Sequence, residues 1–464
     1  MEIINRSISS FLNTEVKEFA RYVIETRACP KISDGLRSGA RKIIYAALTG
    51  DLSKKNTVKM LALIGDTLKV EYHHGDTSLA NTIIQLGRND VIKHKPLEII
   101  GQIPDLRFRS CKVASRYLDI KKSPCIELFT PDKELWTIKT EGETKIEPRC
   151  FFPIIPITLL YRTNSPGFGF SFRSFSYSID SIIDLCIRAI ATGTCEDKSL
   201  LNLYEIELKP SVEGVKDHNF VYNFQKESWF SIGEYDLNFE TDTLTITDLP
   251  YSVDLDSYQD TLTSLKNRLL IKDWINLSLD DNIKYVIKFE YGKLKMLYNT
   301  NKWNFFQMFR LFNKVPKDTL NVLDDDNNIL QIETTFQLID TFVKNRLKIY
   351  DLRKILTIKN LKEEIDRLSN IIKFINLVIS GELIISKRTI NDVKFDLDRY
   401  NLPYEVLRTR IEKLTKEEIE KIKDKIRELN DYLNYIETTT IETMYINELI
   451  TLKEKFGKHI ISKI

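Results

Sequence analysis

A pair of heptad seams near the C-terminal end constrains this chain more than any other feature. Ile358, Leu361, Ile365, Leu368, Ile372, Ile375 and Ile379 recur at alternating steps of three and four, with charged residues between them. Ile419, Ile422, Ile426, Leu429, Leu433 and Ile436 repeat the pattern. The second seam opens on Thr415-Lys-Glu-Glu418, a capping-box pattern that satisfies exposed amides at a helix start. Two long helices joined by about 35 residues containing Gly381 and Pro403 predict an antiparallel coiled-coil arm with a small globular tip. A helical domain packed on the core is the alternative.

Upstream the pattern changes. Residues 10–48 read as helix, turn, helix: Phe11, Val16, Phe19, Ala20 and Val23 stand at helical spacing, a turn spans Pro30, Asp34 and Gly35, and a second apolar stretch runs from Ile43 to Leu48. Between about 205 and 300 the runs Leu244-Thr-Ile246 and Tyr285-Val-Ile-Lys-Phe289 are strand-like, with Gly233 and Gly292 near turns. The expected fold class is therefore α+β and multidomain.

Charge follows the same division. Residues 1–124 carry 21 Lys and Arg against 13 Asp and Glu, a balance of +8, which leaves −6 for the rest of a chain whose total is +2. Such segregation suits a polyanion-binding front followed by an acidic scaffold. A solvated, mildly basic surface would look the same by charge alone.

The longest apolar stretch, Cys150 to Tyr161, is broken by Pro153 and Pro156 and falls short of the roughly 20 residues a membrane span needs. Glu2 and Arg6 do not fit a secretory start. A soluble, cytoplasmic protein without membrane partners is expected. Cys29, Cys111, Cys125, Cys150, Cys186 and Cys195 show no CxxC spacing, which predicts reduced thiols.

Arg116-Tyr117 is the candidate reactive pair. The same dipeptide occurs at Arg21-Tyr22 and Arg399-Tyr400, so the setting must distinguish it: Arg107, Arg109 and Lys112 precede it, and Lys121 and Lys122 follow. A phenol, with a pKa near about 10, must lose its proton to attack phosphorus, and a neighbouring guanidinium lowers that cost. Phenolate is also a better leaving group than alkoxide, so the bond can be resealed.

Several blocks match one family. Thr26-Arg-Ala-Cys-Pro-Lys-Ile-Ser-Asp-Gly-Leu-Arg-Ser-Gly-Ala-Arg-Lys-Ile-Ile-Tyr45 resembles the RA-x-P-x-x-x-DGLKP-x-x-RK-(I/V) segment of the DNA-cleavage subunit of type IIA DNA topoisomerases. Glu71-Tyr-His-His-Gly-Asp-Thr-Ser-Leu79 with Thr82-Ile-Ile84 resembles the family's YHHG(E/D)-x-SL-x-x-TI block. Gly101-Gln102 is similar to its GQ, and Ala114-Ser-Arg-Tyr117 to its A-x-RY. Leu244-Thr-Ile-Thr-Asp-Leu-Pro250 resembles its ITELP, and Phe342-Val-Lys-Asn-Arg-Leu-Lys-Ile-Tyr-Asp-Leu-Arg-Lys354 the start of its coiled-coil arm. The whole is most like the short cleavage subunit of bacteriophage topoisomerases, which would place it on DNA in a host cytoplasm.

The resemblance implies a winged-helix (helix-turn-helix) DNA-binding and cleavage domain at 1–150, an α+β tower at 151–335, and a coiled-coil arm with a C-gate dimerisation tip at 336–464. It implies that Tyr117 attacks a phosphodiester and stays on the 5′ end while Arg116 stabilises the phosphorane-like charge. Arg27 would contact the scissile region, Arg37, Arg41 and Lys42 would grip phosphates, and His73 and His74 would contact DNA or orient the scissile phosphate. It also implies a homodimer through the winged-helix domain and C-gate, acting on double-stranded DNA.

The chain departs from the family at Asp34-Gly-Leu-Arg-Ser38, at Ala40 where a Gln or His is usual, and at Ile103-Pro-Asp-Leu-Arg107 where the family has G-N-F-G-S. The family's DNA-bending isoleucine corresponds to Pro166 or Phe168 in Ser165-Pro-Gly-Phe-Gly169. No GxxxxGK(S/T) loop occurs, and Asp324-Asp-Asp326 reads as a solvated loop. The family's metal ligands belong to a separate Toprim unit and nothing in this sequence resembles its ATPase module, so the resemblance implies that Mg²⁺ and ATP are held by a separate ATPase/Toprim chain. A non-catalytic dimeric DNA-bridging protein of the same fold, or a coiled-coil adaptor, would be the other readings.

Overall fold

The computed structural model describes residues 7–72, 75–88, 92–105, 114–195, 208, 210–212, 215–223, 225–226, 228–279, 282–410, 412 and 414–461. Contacts divide the chain into two compact units, Met1–Arg346 with Glu448–Ile464, and Leu347–Asn447. The architecture is mixed α and β, and among the described residues the strands pair antiparallel within their sheets.

The first unit begins with helical turns from Ile8 through Ala28, wider than α at Leu12–Val16 and Ile24–Ala28. The apolar spacing seen there does not face a core: Phe11 is 49% and Phe19 57% exposed, and burial starts only at Ile24. Ile24, Ala28 and Cys29 then pack on Leu323. The chain turns at Lys31–Asp34, where Gly35 is required twice over. Its φ is +67°, and a Cβ there would lie 2.5 Å from the Thr158 backbone nitrogen.

The next helix, Ser38–Thr49, buries Ala40, Ile43, Ile44, Ala46 and Ala47 along one side. It packs against the helices Met60–Leu68 and Asp76–Gly87. Beside them stands a three-stranded sheet with Asp119–Lys122 central between Thr57–Lys59 and Leu97–Ile100. A hairpin, Ile138–Glu141 with Thr144–Pro148, follows. The short paired strands Thr163–Ser165 and Phe172–Ser174 join Thr319–Leu323 and Ile329–Ile332 in one sheet.

The strand-like runs of the middle region are neighbours, with Leu244 opposite Ile287 in the four-stranded sheet. The helix Leu255–Asn267 lays Leu255, Tyr258, Leu262 and Leu265 on that sheet, a spacing of three and four that keeps one face inward. Tyr258 meets Tyr285 edge to face at 5.1 Å, a geometry worth about 0.5–1.5 kcal/mol beyond the area buried.

The arm region begins with a helix of 45 residues, Thr335–Ile379, and returns through Lys416–Thr438 and Ile441–Ile461. Lys425 pairs with Glu364 and Lys362 with Glu437, so one helix descends as the other rises. Leu368 and Ile375 from the first seam meet Ile419 and Ile422 from the second. Thr415 Oγ1 accepts the Glu418 N–H at 3.2 Å, which caps the returning helix. Back in the first unit, Lys453 reaches Asp184, Lys455 reaches Glu127, and Phe456 stands edge-on to His94. Among the described residues no helix is long and apolar enough to cross a membrane.

Candidate nucleic-acid interface

Tyr117 closes a single turn, Ser115–Tyr117, immediately before the central strand of the three-stranded sheet. The turn is locked from both sides. Leu118 and Ile120 are fully buried, the Met60 N–H donates to the Leu118 carbonyl at 3.0 Å, and Lys59 pairs with Asp119. Gly101, at φ +129°, lies so close that a Cβ would sit 2.7 Å from Leu118 Cδ2. On this base Tyr117 is 68% exposed, with the Arg116 guanidinium 5.4 Å from its ring centroid. Arg107, Arg109 and Lys112 lie outside the described residues, as do His73 and His74.

Arg27 ends the first helical segment, exposed and 5.7 Å from the Tyr22 ring. Arg37 donates to the Arg27 carbonyl at 3.3 Å, and burial holds its pKa below the ordinary arginine value. Both arginines line a cavity of about 440 Å³ with Tyr22, Tyr72 and Glu71. Arg37 also lines a second cavity of about 710 Å³ with Arg88, Arg162 and Arg173. The sequence did not single out those three. Arg162 and Arg173 flank the Ser165–Gly169 stretch that carries the wedge candidates, and that proximity was the available signal.

Arg41 and Lys42 require a correction, because both point inward. Arg41 is 2% exposed; its Nε lies 2.6 Å and its Nη2 3.0 Å from the two Asp34 carboxylate oxygens, and Nη2 also donates to the Leu36 carbonyl. Lys42 is 7% exposed, with Nζ 2.9 Å from Glu147 Oε2 and 2.6 Å from the Val70 carbonyl. Burial would raise the Glu147 pKa, but Lys139 and Lys42 together hold it below the usual carboxylate range. Both cations are thus paired with internal partners, although Lys42 also borders the cavity that Arg27 and Arg37 line.

Pro166 and Phe168 both lie in the turn between Thr163–Ser165 and Phe172–Ser174, and both are exposed. Between them Gly167 packs so tightly on Phe170 and Ala28 that a Cβ cannot fit. Asp324 turns back on the Asp326 and Asn328 amides, and Asp325 accepts from the Ser33 hydroxyl. Among the described residues no three His, Cys, Asp or Glu side chains converge as metal ligands. Cys29, Cys125, Cys150, Cys186 and Cys195 are free thiols, and burial pushes Cys150 up to about 12. Cys111 lies outside the described residues.

A family model for the A-type subunit of DNA gyrase/topoisomerase IV matches residues 27–453. DNA topoisomerase 2 of Plasmodium falciparum (isolate K1 / Thailand) is 27% identical over 501 residues, covering 97% of this chain and 34% of that protein. Mitochondrial DNA topoisomerase 2 of Dictyostelium discoideum is 25% identical over 469 residues, covering 97% and 35%. Human DNA topoisomerase 2-alpha is 26% identical over 392 residues, covering 82% and 24%. The solved DNA-binding, cleavage and re-ligation domain of Plasmodium falciparum topoisomerase II superposes with a TM-score of 0.81 at 25% identity, over 97% of this chain and 65% of that one. The chain thus spans about a third of the length of the curated relatives that it matches over nearly its whole extent.

Proposed function

Because the chain belongs to the A-type family of DNA gyrase and topoisomerase IV, we propose that it is the DNA cleavage and religation subunit of a type IIA DNA topoisomerase. Tyr117 carries the reading. It is an exposed phenol on a turn fixed by a buried strand, with a guanidinium against its ring.

In this reading Tyr117 Oη gives up its proton and attacks a backbone phosphorus. The new O–P bond forms as the bond to the 3′ oxygen breaks, so the 5′ phosphate stays on the tyrosine and a 3′ hydroxyl is released. Arg116 counters charge on the phosphorane-like centre, and reversal reseals the strand. Arg27 and Arg37 hold the backbone beside the scissile bond, His73 and His74 assist there, and Arg88, Arg162 and Arg173 extend the cationic groove. Pro166 or Phe168, exposed on its hairpin, wedges the duplex.

We assign residues 1–150 to a winged-helix cleavage domain, 151–335 to a tower, and 336–464 to a coiled-coil arm. The arm's tip leaves Ile384, Ile390 and Phe395 56%, 65% and 74% exposed, and a second copy of the chain would cover them to form the C-gate. Following the family resemblance, we assign Mg²⁺ and ATP to a separate chain with Toprim and ATPase units.

The test mixes the chain with that partner, Mg²⁺ and supercoiled DNA. Covalent DNA–protein adducts are expected, and Tyr117→Phe should abolish them while leaving DNA binding intact. Adducts surviving the substitution refute the nucleophile. Duplex binding without adducts under every partner and metal condition would favour the DNA-bridging alternative.

A further inference from the structure

Lys42 occupies a junction of three segments. It lies on the Ser38–Thr49 helix, and its Nζ contacts Glu147 on the Thr144–Pro148 strand and the carbonyl of Val70. Glu147 is 1% exposed, and its other oxygen takes Lys139 at 2.8 Å. Val70 leads directly into Glu71, whose φ of +55° is a left-handed conformation that non-glycine residues hold only under constraint. Tyr72 follows, and its ring rests on Gly39, where an added Cβ would lie 3.3 Å from Tyr72 Cε2. Glu71 and Tyr72 line the cavity that Arg27 and Arg37 also line, and Lys42 itself borders it. Lys42 thus hydrogen-bonds one segment through the Val70 carbonyl and is ion-paired with another through Glu147.

We propose that Lys42 is a positioning residue for DNA cleavage: gripped by Glu147, its ammonium holds the Val70–Tyr72 turn against the N-terminal end of the Ser38–Thr49 helix and so sets the shape of the Arg27–Arg37 phosphate site without touching phosphate. The inference rests on the cleavage-subunit reading above. It separates two roles that a basic residue in this motif can play. A phosphate ligand releases a counterion and steepens the salt dependence of DNA binding, by about 0.9 in the log–log slope per phosphate. An inward tether alters the yield of cleavage from bound DNA and leaves that slope alone.

The experiment measures both readouts on the full chain, using duplex binding across a salt series and adduct yield at saturating DNA with the ATPase/Toprim partner and Mg²⁺. Arg37→Ala serves as the phosphate control and should lower the slope by about one. Lys42→Met is expected to keep the slope of the unsubstituted chain and lower adduct yield at least tenfold, with Lys42→Arg restoring most of it. Because Lys42→Met strips a partner from a buried carboxylate and can impair folding, Glu147→Gln gives a second route. It keeps the shape, loosens the grip on Lys42, and should lower adduct yield several-fold at unchanged slope. A slope that falls by about one in Lys42→Met, or full adduct yield in both variants, overturns the proposal. An unsubstituted chain that forms no adducts overturns the cleavage reading itself, a result distinct from either.

Discussion

The buried pair Arg41–Asp34 gives the sharpest quantitative test of the inward-facing cations. Asp34 is fully buried and accepts four hydrogen bonds: Arg41 Nε and Nη2, and the backbone N–H groups of Leu36 and Phe151 at 2.9 and 3.0 Å. Arg41→Leu removes the two charged donors and leaves a carboxylate in a site closed to water. Breaking a buried ion pair from one side costs about 3–5 kcal/mol, a large share of the roughly 5–15 kcal/mol that holds a typical folded domain. With a urea slope of about 3 kcal/mol/M, the midpoint should fall by about 1–1.7 M. Tryptophan emission suits the measurement, because Trp136 stands edge-on to Phe151 at 5.0 Å and Phe151 is bonded to Asp34. Arg41→Leu with Asp34→Leu removes the stranded charge as well and should lose less than the single variant. The reasoning is refuted if Arg41→Leu moves the midpoint by less than about 0.3 M while lowering the salt slope of DNA binding by about one, which would mean Arg41 reaches phosphate.

Two other sites yield separate tests. Burial raises the Asp318 carboxyl to about 6 from 3.8, against the pull of the Tyr177 hydroxyl, the Phe175 amide and Arg173. A raised carboxyl keeps its proton in the folded chain where the unfolded chain has lost it, so its contribution to stability is full below about pH 4 and lost as pH rises through about 6, by about 3 kcal/mol. Asp318→Asn should flatten urea midpoints measured from pH 4 to 7.5, and an unchanged slope would count against the assignment. In the arm, Lys354 Nζ donates to the carbonyls of Glu437 and Thr439, where the returning helix breaks between Thr438 and Ile441. Lys354→Met should cost about 1 kcal/mol and speed amide exchange first around that break. Exchange that rises evenly along the arm would show the contact to be idle.

The arm and the middle sheet were legible because their signals are local. A heptad seam needs only its own spacing, and a strand such as Thr243–Ile246 needs only its β-branched run. The candidate turn at Tyr117 could be singled out from its neighbours in sequence, Gly101-Gln102 and Ala114 to Tyr117, and Gly101 packs against Leu118 beside it. The first helix was misleading because periodicity marks an apolar stripe without saying what covers it, and Phe11 and Phe19 are exposed in this chain.

The direction of the basic residues was beyond reach for a different reason. Arg37 and Arg41 are four apart, a spacing that puts two helical residues on one face. Arg37, however, is extended at φ −80° and ψ 158°, one residue before the helix begins, so it turns to the cavities while Arg41 turns to Asp34. The partner that turns Lys42 inward, Glu147, is distant in sequence and close only after folding. The same logic revises the charge count. Lys31, Arg41 and Lys42 belong to the basic front yet are buried, while Arg162 and Arg173 belong to the acidic remainder yet line the larger cavity. Charge segregated along a sequence is thus an unreliable map of charge presented to a polyanion. Ion pairs closed by folding subtract from the front, and hairpins that return to the groove add to it from elsewhere in the chain.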